Sequence, residues 1–143
     1  MYGETAMMRR RVSQLREQGS EIRRVADRLV AQAESVPWHG RAAESMRLRI
    51  QDRASHLRDA AGLHESAADS LDHHVHEVDR LQDAIVTIER KVASLVADAR
   101  TRQARLAGSP QGGDVDDEDA TLLAFVMPPP GHKDWLDVEL PGL

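Results

Sequence analysis

The chain has 143 residues, room for one domain or one folded body with a tail. It has no cysteine, and its aromatic residues are two Trp, one Tyr and one Phe. Disulfide scaffolds, zinc–cysteine sites, thiol catalysis and nucleic-acid readout by stacked rings are thereby excluded. The formal net charge of −5 hides an asymmetry. Residues 1–108 carry 18 basic and 16 acidic side chains, whereas residues 109–143 carry one Lys against eight acids.

Leu, Ile, Val and Phe together number 31, a thin supply for a compact monomer, while 19 alanines suit packed helices. Proline divides the chain. Pro37 stands alone before Pro110, and the remaining prolines lie at 128–130 and 141. Because proline removes an N–H and clashes with the preceding turn, helices are predicted over about 5–36 and 41–107, joined by a turn at 37–40. The opening Met1-Tyr2-Gly3-Glu4-Thr5 lacks the charged start and apolar core of a signal peptide, so Sec-type export is not expected. No apolar run approaches the roughly 20 residues that span a bilayer.

The first window carries a heptad seam: Met8, Val12, Leu15, Gly19, Ile22, Ala26, Leu29, Ala33, Val36. The second carries Met46, Ile50, Arg53, Leu57, Ala60, His64, Ala67, Leu71 and His74, and then Val78, Leu81, Ile85, Ile88, Val92, Leu95, Ala99, Arg102 and Leu106. Seams of this period indicate helices packed lengthwise on helices. With Pro37 and Gly40 in so short a join, the fold class is all-α: an antiparallel helical hairpin with a long second helix, assembling into a helical bundle. The first helix runs out opposite residue 72 or so. The stripe Val78, Leu81, Ile85, Ile88, Val92, Leu95 must therefore be covered by a fold-back of the helix or by another chain. Residues 70–80 hold no Gly or Pro to break the helix, so a partner chain is the favoured cover, and these six residues are the expected partner interface.

The turn Val36-Pro37-Trp38-His39-Gly40, set between two seamed helices, resembles the Trp-X-Gly family, the small Esx-type proteins of type VII secretion. The resemblance covers about residues 5–100 and rests on Trp38 and Gly40. It implies a four-helix dimer with a sister protein or with itself, no enzymatic activity, and a turn that serves as part of an export signal. It also implies a chain that is cytoplasmic before export and then secreted without a cleaved signal peptide, with the secretion ATPase as a further partner. The family's Tyr-x-x-x-Asp/Glu element is missing, since the only tyrosine is Tyr2. A cytosolic adaptor or chaperone that holds a larger secreted effector is the alternative.

Asp69, His73, His76 and Glu77 share one helix face, but they also read as ordinary i,i+4 pairs on a solvated surface, and no metal or other cofactor is expected. His64 and His74 fall on the seam. Arg9, Arg10 and Arg11 lack the motif context of a nucleic-acid site, and no catalytic constellation is present. From residue 108 onward the chain reads as a flexible acidic, Pro-rich tail. Within it Trp135, Leu136, Val138 and Leu140 form a possible docking peptide for a partner or for the bundle itself.

Overall fold

A computed structural model describes residues 2–143. The described residues are helical with irregular connections and contain no strand. Helix α1 spans Tyr2–Ser35, α2 spans Arg41–Ala107, and α3 spans Asp117–Ala124. A short 3-10 turn follows at Lys133–Asp137. Helix α2 passes through Gly62 and through 70–80 without a break, so at 1.5 Å per residue it is about 100 Å long. Two compact units divide within it, at Val78 and Asp79.

In the first unit α1 lies antiparallel on the first part of α2. The direct contact between the helices is made by small side chains. Thr5, Val12, Gly19, Ala26 and Ala33 are buried along α1, one per heptad, against Ala54, Ala61, Ala68 and Val75 on α2. A Cβ added at Gly19 would stand 3.4 Å from the Ala61 carbonyl oxygen and 3.3 Å from Glu65 Cγ, so the backbones approach closely here. Small residues permit this spacing, and close spacing in turn leaves the larger aliphatic residues at the margins of the seam.

All nine predicted seam positions of α1 are buried or half-buried. The α2 seam needs a correction. The buried residues are Ala54, Ala61, Ala68 and Val75, each one position beyond the predicted Arg53, Ala60, Ala67 and His74. Arg53, Ala67 and His74 are exposed, whereas His64 is half-buried, with Nδ1 2.9 Å from the Ala60 carbonyl oxygen.

The second unit departs further from expectation. The tail folds back on the distal part of α2 instead of remaining solvated. Its acidic run becomes the start of α3: Asp117, Glu118 and Asp119 occupy the first turn, where carboxylates are favoured by the helix dipole. Leu122 is buried from the same helix. Trp135 then enters a cluster with Ile85, Val92 and Val96, with Ile88, Phe125, Val138 and Leu140 packed around it. The Phe125 and Trp135 rings meet edge to face with centroids 6.4 Å apart.

Candidate functional site

The turn at the end of the hairpin is built by a helix-capping arginine. The α1 C-terminus leaves carbonyls without intrahelical donors. Arg47, reaching back from α2, donates to the carbonyls of Ala33 at 3.3 Å, Val36 at 2.9 Å and Trp38 at 2.7 Å. Gly40 adopts φ +106, a conformation that side chains resist, and its carbonyl accepts the first bond of α2, from Glu44 N–H. The backbone of the turn is thus fixed from both sides. Trp38 nonetheless leaves half its surface, 50%, in solvent. Trp38 is thus a large apolar ring half in solvent on a turn whose backbone is fixed.

The long edges of the hairpin are chemically unlike. At 3.6 residues per turn, positions 16 and 23 on α1 and 58, 65 and 72 on α2 lie to one side of the small-residue seam. There Arg23 makes a paired contact with Glu65 at 2.8 and 2.9 Å, Arg16 reaches Asp69 at 3.3 Å, and Arg58 reaches Asp27 at 2.8 Å. The hydrogen bond from Arg23 holds the Glu65 carboxyl below the usual carboxylate range.

The opposite edge has no such charges in its row. Met8, Leu15, Ile22 and Leu29 run along α1, with Val36 just past its end, beside Ile50, Leu57, His64 and Leu71 on α2, and every one is only half-buried. In the antiparallel register that sets Gly19 against Ala61, Ile22 falls at the level of Leu57 and Leu15 at the level of His64 along the helices. Met8 and Leu71 line a common open cavity of about 760 Å³ at the end where α1 begins. One edge is closed by ion pairs; the other is an aliphatic face about 40 Å long that is still partly in water.

The chain matches no known family model, curated protein or solved structure. The site residues must be judged on their own geometry.

Trp38 and Gly40 sit together at the turn, as the sequence suggests. The expected interface on distal α2 is placed differently. Ile85 and Val92 are 6% and 0% exposed beneath the chain's own tail, while Val78, Leu81, Ile88 and Leu95 are half-buried. Ile85, Ile88 and Val92 find cover within the chain because Trp135, itself 3% exposed, packs its large apolar surface among them. Of the predicted docking residues, Trp135, Val138 and Leu140 pack inward, but Leu136 is exposed. The 3-10 geometry is the reason: positions i and i+3 eclipse, so Val138 follows Trp135 to the helix surface and Leu136 is turned away.

The sequence reading missed Arg102 and Asp119. Arg102 is one of four polar residues on the α2 seam, with Arg53, His64 and His74, and the one that falls in its distal half, which was the available signal. Its guanidinium holds the buried Asp119 carboxylate through two bonds of 2.7 and 2.8 Å, fastening α3 to α2. Farther along, Gly131 N–H donates to Glu89 Oε1 and Trp135 Nε1–H donates to the Pro129 carbonyl at 2.9 Å. The hydrogen bond from Arg102 pulls the Asp119 carboxyl below the usual carboxylate range. A carboxyl depressed in the folded state contributes stability above its unfolded pKa of about 3.9 and loses it as pH falls through the lower folded value. Hydrogen exchange of the α3 amides is therefore expected to stay constant from pH 8 to 5, corrected for intrinsic rates, and to accelerate below about pH 4. Asp119→Asn should already show the acid behaviour at neutral pH.

Among the described residues, no group of three or more His, Asp or Glu side chains is placed to hold a metal ion. On the histidine-rich face, Asp69 is engaged by Arg16, and His76 Nδ1 lies 2.7 Å from the Asp72 carbonyl oxygen. Among the described residues, no helix is long and apolar enough to cross a membrane.

Proposed function

We propose that this protein is a non-enzymatic helical binding module of the type VII secretion class, working as a secreted substrate or a co-secreted partner. Two hairpins associate through their aliphatic edges into a four-helix bundle, and the Trp38-His39-Gly40 turn is the element that the secretion machinery recognises. The observation that carries this reading is the pairing of a fixed, outward Trp38 with an aliphatic edge that the single chain leaves half in water. A two-helix face about 40 Å long and 20 Å wide offers about 800 Å² per partner, the size of a standard stable interface.

Trp38→Ala and Gly40→Ala test the export role. Each is expected to lower the amount secreted by about tenfold. Trp38→Ala should leave the hairpin intact, since Trp38 contributes little to the packed seam, whereas Gly40→Ala also strains the turn at φ +106, so its helicity is measured alongside. Unchanged secretion in both variants would leave the turn with a structural role alone. The adaptor reading has its own support in the missing Tyr-x-x-x-Asp/Glu element. Retention of the wild-type chain in the cytoplasm, bound to a larger effector in every strain, would decide for it.

A further inference from the structure

The stripe on distal α2 has the side-chain chemistry of a helix-pairing surface. Val78, Ile85 and Val92 share one heptad position, and Leu81, Ile88 and Leu95 share the other. β-branched residues at the first and mostly leucine at the second suit two-stranded packing. What covers this stripe in the fold is not a second long helix. Between α3 and the 3-10 turn the chain crosses it through a Pro-rich segment, and one large side chain, Trp135, fills the groove.

The cover reaches along the stripe and is fastened at separate points. Arg102 holds Asp119 at one end, Glu89 holds Gly131 N–H beyond it, and the last residues lie tight on Leu95. A Cβ at Gly142 would meet Leu95 Cδ2 at 3.3 Å. Val126, by contrast, is turned almost wholly outward at 86% exposure, so parts of the strap carry no packing of their own.

We propose that the tail is a strap closed over a second docking face, and that this face takes the distal α2 of a second copy of the chain when the strap lifts. The strap and a second helix need the same side chains, Ile85, Val92 and Leu95, so only one can be present. The linker at 108–116 keeps the strap at an effective concentration of about millimolar, which a second copy at micromolar concentration does not overcome unaided. The strap therefore holds this face out of use until its fastenings are broken. The proposal stands independently of the hairpin-edge association described above, which lies in the other unit.

The test uses the full chain with a protease site built into the exposed linker at 108–113. Cutting keeps every residue present and removes only the tether. After cutting and dilution to micromolar concentration, Trp135 emission should shift to the red, while the signal of the already exposed Trp38 stays constant. The helical body, lighter by the released quarter of the chain, should pair and so reach about one and a half times the sedimentation mass of the uncut protein. That ratio is the readout, so it holds whether the uncut protein is a monomer or a dimer through its hairpin edge. Trp135→Ala in the uncut chain, which keeps its tail, should double the mass, and excess synthetic peptide 109–143 should return the cut protein to its uncut mass. A released tail that leaves the helical body unpaired overturns the proposal. So does a rise in mass that the peptide does not reverse, which would mean unspecific association, and so does a tail that stays in place after both the cut and Trp135→Ala.

Discussion

Gly19→Leu is expected to force the two helices of the hairpin apart. A Cβ at this position already touches α2, 3.3 Å from Glu65 Cγ and in van der Waals contact with the Ala61 carbonyl oxygen at 3.4 Å, so a methyl can be accommodated but a longer side chain grows against the α2 backbone. The three further carbons of leucine are expected to push the helices apart, and separation would strip contacts from Val12 and Ala26 on the neighbouring turns. Overpacking of this kind costs about 3 kcal/mol, and for a unit of this size that is a fall of roughly 10–20 °C in thermal midpoint. Gly62→Leu is the matched control. A Cβ at Gly62 meets nothing within 4 Å, and leucine is the better helix former, so that variant should be neutral or stabilised by about 0.5–1 kcal/mol. Melting curves followed by circular dichroism should separate the two substitutions in opposite directions. Equal effects would mean that the close approach at Gly19 does not set the spacing of the helices.

Ile22→Glu combined with Leu57→Glu is expected to abolish association through the aliphatic edge. Both residues are half-buried in the single chain, so carboxylates there can still reach water and the hairpin should keep its helicity. In the proposed bundle each would be enclosed, at a cost of about 1.5–3 kcal/mol in lost burial for every site, with the desolvation of a charge added. The dissociation constant should rise at least a hundredfold, since about 1.4 kcal/mol is a factor of ten. Sedimentation equilibrium measures this directly. Glu65→Ala on the opposite, ion-paired edge should leave the association unchanged, because exposed pairs contribute little and that edge faces no partner. A double variant that associates as tightly as the wild type would remove the aliphatic edge from the functional proposal.

The two helices were legible in the sequence because proline and glycine punctuate the turn and the heptad period is long. The register of α1 was legible as well, since its large apolar residues fall at one spacing with polar residues between. On α2 the sequence is ambiguous at the decisive positions. Alanine occurs at both 60 and 61 and at both 67 and 68, so hydrophobicity cannot say which member of each pair is buried. The answer comes from the close approach of α1, which draws in Ala61 and Ala68. The fold-back of the tail was hidden for another reason. A run such as Asp114-Val115-Asp116-Asp117-Glu118-Asp119 repels itself in isolation, and only the opposing charge of Arg102 makes Asp119 worth burying. That pairing is non-local, and composition does not record it. Trp38 and Gly40 were legible as a turn, while Arg47, which holds it, looked like any other surface arginine.

The small-residue seam separates two properties that most helical interfaces entangle. Backbone spacing is decided by Gly19, Ala26, Ala54, Ala61 and Ala68, and none of them carries more than a methyl group. Identity at the aliphatic edge is decided by a different set, from Met8 to Leu29 and from Ile50 to Leu71. Substitutions in the second set alter the outline offered to another protein while the distance between the helices stays fixed. Under mutation and selection, a lineage of such hairpins could change its companions step by step without rebuilding its scaffold, and its sequence would drift fastest at the positions that face outward and slowest at the positions with almost no side chain.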